Sequence, residues 1–166
     1  MTEEQKKRRG AVEMGATAAT VAANVRRLRD DVRGWSTYEL AGRLAKAGRP
    51  IAPSAVAKIE RGERQVSVDD LMALAVVLGV SPVTLLLPVD ARQPTEVTGA
   101  GQVDAKAAWH WAWCNDPLRF PDGVDDEEAH RYQTEFLLYS RPIGLFAPQG
   151  DDRIPGAMRE SRGSDG

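Results

Sequence analysis

Cysteine is almost absent: Cys114 is the only one in 166 residues, so no intrachain disulfide can staple the fold, and a reducing compartment suits the chain. Long apolar runs are absent too. None approaches the ~20 residues that a membrane span needs, and MTEEQKKRRG at the amino terminus has basic residues with no apolar segment after them, unlike a secretory signal. A cytoplasmic protein with no membrane contact is expected. What remains is an ordinary globular composition, 42% hydrophobic and 28% charged, enough for one modest core and an appendage.

Charge of either sign is plentiful but unevenly spread. The net charge of −2 hides a basic stretch, residues 1–64 at +6, followed by an acidic one, residues 65–166 at −8. The basic part suits an anionic partner, although charge runs are also common as solvated faces.

Helical punctuation dominates the first half. Residues 1–15 read as a flexible basic arm in which Lys6–Arg9 either follows a phosphate backbone or solubilises the chain. Val21, Val25, Leu28 and Val32 recur at helical spacing and predict a helix from Ala16 to Val32, ended by Gly34. Ser36 and Glu39 form a capping box for a second helix with Leu40, Ala41 and Leu44 on its inner face and Trp35 stapling its start. Gly48 closes it.

Ile51–Gly62 is a third, short helix. Ile51, Val56 and Ile59 are its apolar anchors, Pro53 suits its first turn and Gly62 its left-handed exit. Ser54, Ala57, Lys58 and Arg61 are left on the outer face. Ser67 caps a fourth helix lined by Leu71, Leu74, Ala75 and Leu78 and stopped by Gly79, and Ser81-Pro82 opens a fifth that ends at Pro88. No strand signal interrupts these five helices, so the fold class expected is all-α, with the domain spanning residues 16–88.

The segments WSTYELAGRL, IAPSAVAKIERG and SVDDLMALAVVLGVSPVTLL together resemble the Cro and phage-repressor type of helix-turn-helix domain, the Xre family, and in particular regulators of actinobacteria and their phages. The resemblance implies a five-helix DNA-binding domain whose third helix enters the major groove. It assigns base contact to Pro53, Ser54, Ala57 and Lys58, with Lys58 able to donate to guanine O6 or N7. Thr37 would grip a phosphate at the start of the second helix, and Arg49, Arg61 and Arg64 would add backbone contacts. A homodimer is implied, with Val83, Leu86 and Leu87 at the usual pairing surface, although leucines there also close the domain's own core. Two features depart from the pattern. The turn holds about five extra residues, Ala45–Arg49, and the first turn of the third helix is poor in donors, which leaves specificity to Ser54, Lys58 and groove shape.

The second half reads as a linker over 89–102, a small helical extension over 103–140 and a disordered tail over 141–166. Val103–Cys114 predicts a helix whose Trp109 and Trp113 anchor it to the domain or to a second subunit. Ala129, Tyr132, Phe136 and Leu137 mark another helix, with the acidic run Asp125–Glu128 at its positive end. His110 and Cys114 are spaced like two metal ligands, but structural zinc takes four and only His130 could add one, so no metal or cofactor is expected. The same pair lacks an orienting group and oxyanion donors, and no enzyme is expected. The function these features point to is sequence-specific binding of double-stranded DNA by a transcriptional regulator, a repressor acting as a dimer. The alternative is a protein-interaction module, an antitoxin or adaptor, that engages a protein partner through the acidic, Trp-bearing second half.

Overall fold

The structure, a computed structural model, describes residues 14–144; the basic cluster Lys6–Arg9 and nearly all of the expected tail lie outside the described residues. The fold is mostly helical. In chain order it comprises α1 (Ala16–Arg27), a π-helical continuation (Leu28–Val32), α2 (Thr37–Lys46), α3 (Pro53–Glu60), α4 (Val68–Leu78), α5 (Pro82–Leu86), strands β1 (Thr95–Val97) and β2 (Gly101–Val103), α6 (Ala105–Ala112) and α7 (Asp126–Ser140).

The caps act where local chemistry places them. Ser36 Oγ accepts from the Glu39 N–H at 3.2 Å while Glu39 accepts from the Ser36 N–H at 2.7 Å, which satisfies two otherwise orphaned donors at the start of α2. The bond from the Ser36 N–H, joined by one from the Ser36 hydroxyl at 3.0 Å, holds the Glu39 carboxyl below the usual glutamate range. Ser67 caps α4 through the Asp70 N–H at 3.1 Å, and Gly79 ends that helix at φ +70°, a conformation a side chain would strain.

One core unites the first five helices. Val21, Val25 and Leu28 of α1 meet Leu40, Ala41 and Leu44 of α2, Ile51, Val56 and Ile59 around α3, Leu74, Ala75 and Leu78 of α4, and Leu85 of α5. Leu40, Leu44, Leu74, Leu78 and Leu85 are completely buried, and each contributes about 1.5–3 kcal/mol by leaving water.

The end of the first helix departs from simple periodicity. Val32, expected on the inner face, is 56% exposed, whereas Arg29 is buried. The cause is the π turn. The Arg33 N–H bonds back five residues to the Leu28 carbonyl at 3.1 Å, and this wider turn rotates the following side chains out of the 3.6-residue register.

The expected linker also differs. Across its end, residues 95–103, the chain turns through Thr98-Gly99-Ala100 and pairs β1 with β2 antiparallel, Thr95 opposite Val103 and Val97 opposite Gly101, so the expected all-α fold is, among the described residues, mostly helical with one hairpin. Thr17 and Thr98 exchange bonds, each N–H donating to the other's hydroxyl at 3.3 and 3.0 Å, and so fasten the hairpin to α1. Val97 and Val103 face a second core with Leu87 and Ala108, against which Val83, Leu86, Trp109 and Leu118 pack. The Trp109 indole N–H donates to the Pro88 carbonyl at 3.0 Å, so this tryptophan anchors α6 to the end of α5 within the same chain. Trp113 meets Trp109 in a tilted contact, ring centres 5.3 Å apart, but is half exposed. By contrast α7 buries no residue: Tyr132, expected on an inward stripe, stays 41% exposed. Asp125 and Glu128 form its capping box, which accounts for the acidic run.

Candidate nucleic-acid interface

Helices α2 and α3 form the site. Both turn apolar faces inward, Leu40, Ala41 and Leu44 from one and Val56 and Ile59 from the other. The turn between them, Ala47–Ala52, opens with Gly48 at φ +82° and is held by Ile51, which is buried. On α3 the polar positions point outward: Ala52, Ser54 and Lys58 are exposed, and Pro53, Ala55 and Ala57 are half-buried. Thr37 opens α2 at its positive end, next to the Ser36 cap. The chain thus presents a short helix start with a hydroxyl at Ser54 and, one turn on, an ammonium at Lys58.

A buried ion pair fixes α3. Arg29 donates to Glu60 through Nε at 2.6 Å and Nη2 at 3.0 Å, and its Nη1 donates to the Trp35 carbonyl just before the α2 cap. One guanidinium therefore binds the last turn of α3 and the entry to α2 together, with both side chains under a tenth exposed. The hydrogen bonds that Arg29 donates to Glu60, then the charge of Glu60 and those of Asp30 and Asp31, outweigh burial and hold the Arg29 pKa above its ordinary value. Trp35 is framed by cations, with Arg43 3.9 Å and Arg33 5.8 Å from its ring centre. Arg33 also donates to the Leu78 carbonyl at 2.7 Å, closing the end of α4. Asn24, buried in α1, does the same for α5 by donating to the carbonyls of Leu85 and Leu87 at 3.1 and 2.8 Å.

The arginines assigned to the phosphate backbone all have carboxylate partners. Arg61 pairs with Glu63 at 2.7 Å on the surface, which raises the arginine and lowers the glutamate pKa. Arg49 donates to Asp70 at 2.8 Å, and Arg64 approaches the other Asp70 oxygen at 3.4 Å. Burial pushes the Asp70 carboxyl up, but the hydrogen bond and charge of Arg49, the Ser67 cap and Arg64 together hold it below the usual aspartate range. Their side chains remain 42% and 39% exposed, so both guanidiniums still reach solvent.

Residues 25–85 match the family described as Helix-turn-helix. No curated protein and no solved structure matches the chain. The matched span, well under half of the chain, runs from Val25 in α1 through Leu85 of α5. The matched span stops short of the hairpin, α6 and α7.

The remaining candidates take ordinary structural places. Of the expected pairing residues, Leu87 is 4% exposed and Val83 and Leu86 pack into the second core, so the chain's own hairpin and α6 cover much of that surface. His110 Nδ1 lies 3.1 Å from Asp116, and among the described residues no group of three or more His, Cys, Asp or Glu side chains is arranged to hold a metal. Cys114 takes φ +58° just past the end of α6, a turn-forming position, and among the described residues no helix is long and apolar enough to cross a membrane. Sequence reasoning missed Arg29, Glu60, Asn24 and Asp70. Arg29 directly follows the buried Leu28 and Glu60 the buried Ile59, and Asp70 sits three residues after the Ser67 cap; those placements are the signal available in the sequence.

Proposed function

We propose that this protein is a sequence-specific transcriptional regulator of double-stranded DNA, a repressor that works as a homodimer and by binding rather than catalysis. The observation that carries the reading is the α2–α3 pair within the helix-turn-helix domain, with Ser54 and Lys58 exposed on a helix whose opposite face and last turn are locked into the core. Pro53, Ser54, Ala57 and Lys58 lie at the base edges, and Thr37, Arg49, Arg61 and Arg64 along the backbone. A single domain covers little DNA, and pairing on two half-sites about 34 Å apart supplies the rest. The reading favours DNA over an antitoxin or adaptor role because the module recognised is the helix-turn-helix. It puts the protein in the cytoplasm, and the resemblance of its three segments supports a regulator of actinobacteria or their phages.

The test is binding to the DNA upstream of its own gene, with a genome-wide selection in parallel, against a scrambled duplex across a salt series. A preference of about a thousandfold that Lys58→Ala abolishes is the expected result. Equal, weak binding to every duplex that fades at moderate salt refutes it, because counterion release alone behaves that way. Sedimentation equilibrium of the free protein and of the complex tests the dimer.

A further inference from the structure

We infer that Asp70 is a positioning residue for DNA binding: its single buried carboxylate joins the segments on either side of α3 and sets Arg49 and Arg64 as one two-pronged grip on the phosphate backbone. This rests on the reading of α3 as the helix that enters the groove.

Arg49 belongs to the turn that precedes α3 and Arg64 to the loop that follows it, yet each reaches a different oxygen of Asp70, at 2.8 and 3.4 Å. Ser67 ties the arrangement together. Its hydroxyl accepts from the Asp70 N–H at 3.1 Å and from Arg49 Nη2 at 3.2 Å. Asp70 itself is 3% exposed in the first turn of α4, where the positive end of the helix favours a carboxylate. The anchor is therefore rigid, whereas the two guanidiniums it holds are about two-fifths exposed and have donors left over from five each. The long Ala47–Ala52 turn would be loose without a tether. Arg49 and Ile51 supply two, one polar and one apolar.

Simple electrostatics makes the inference sharp. A carboxylate beside a DNA-facing surface repels phosphate, so a passive Asp70 weakens binding and its removal strengthens it. A positioning Asp70 does the reverse, because without it the two arginines lose their shared geometry and the ends of α3 lose their common anchor.

The experiment uses the full chain with the DNA site found by genome-wide selection. Operator and scrambled-duplex affinities are measured across a salt series for wild type, Asp70→Asn and Arg49→Lys, with thermal melts alongside. Asp70→Asn is expected to bind the operator about tenfold more weakly although its net charge is more positive, and to lose about two phosphate contacts' worth of salt slope. The scrambled duplex should weaken too and its salt slope fall with it, because phosphate contacts carry no sequence information. Arg49→Lys keeps the charge but loses the fork, and should reproduce part of the loss with an unchanged melt. An Asp70→Asn protein that melts cooperatively and binds the operator as tightly as wild type, or more tightly, overturns the proposal. So does equal weakening on both duplexes with the slope unchanged, the signature of a merely structural role. If Asp70→Asn does not fold, Arg49→Lys decides alone: wild-type operator affinity with a wild-type salt slope overturns the proposal. Absence of any preferred site for wild type would instead bring down the groove-binding reading, and this proposal with it.

Discussion

The Arg29–Glu60 pair gives the most exacting test of how the α2–α3 face is held. Replacing Glu60 with Gln keeps the shape and removes the charge, leaving a guanidinium about 9% exposed with its bond to the Trp35 carbonyl and a carboxylate at Asp30, 3.6 Å away. Breaking a buried pair from one side costs roughly 3–5 kcal/mol. Asp30 is itself over half exposed and restores only part of the lost attraction, so the lower end of that range, about 3 kcal/mol, is expected. With a urea dependence of roughly 1–3 kcal/mol per molar, the midpoint should fall by about 1–3 M. Urea titrations followed by circular dichroism measure this directly. The double variant Arg29→Met with Glu60→Leu should recover most of the stability, because two apolar side chains leave no buried charge behind. It should not recover operator affinity, since the guanidinium that joins α3 to the entry of α2 is gone. A loss below about 0.5 kcal/mol for Glu60→Gln would place the pair with surface salt bridges and refute the argument.

Three further outcomes follow from the same contacts. Asn24→Ala strips donors from the Leu85 and Leu87 carbonyls, and a loss of about 2 kcal/mol in chemical denaturation is expected. Because the folded Asp70 pKa lies below its ordinary value, its ionised form stabilises the protein above about pH 4 and that contribution disappears as pH falls through the lower folded value. The urea midpoint of wild type should therefore decline more steeply on acidification than that of Asp70→Asn. Trp109→Phe removes the bond to the Pro88 carbonyl, and hydrogen exchange in the hairpin and α6 should speed up, with about 1 kcal/mol of local stability lost and α2–α3 unaffected.

The first five helices were legible because their signals are local. Ser36 and Glu39, Ser67, Ser81-Pro82, Gly62 and Gly79 start and stop helices within one turn of themselves, and Leu40, Leu44, Val56 and Ile59 mark the inward faces by spacing alone. The hairpin was not legible. Strands of three residues each carry too short an alternation to stand out among Pro, Gly and Thr, and they persist here because Val97 and Val103 found a surface on Leu87 and Ala108. Val32 misled for a related reason, since one π turn shifts every later residue out of helical phase.

By itself the sequence determined which segments are helical, which side of each is apolar and that residues 51–62 present a polar rim, all consequences of interactions a few residues long. Only the tertiary structure decided what those polar residues meet. Arg49 and Arg64 read as surface cations until Asp70, from the next helix, is placed between them, and Arg29 and Glu60, 31 residues apart, become a buried clamp only when α1 crosses α3. Long-range pairing of charges depends on distance in space, on which hydrophobic spacing says nothing.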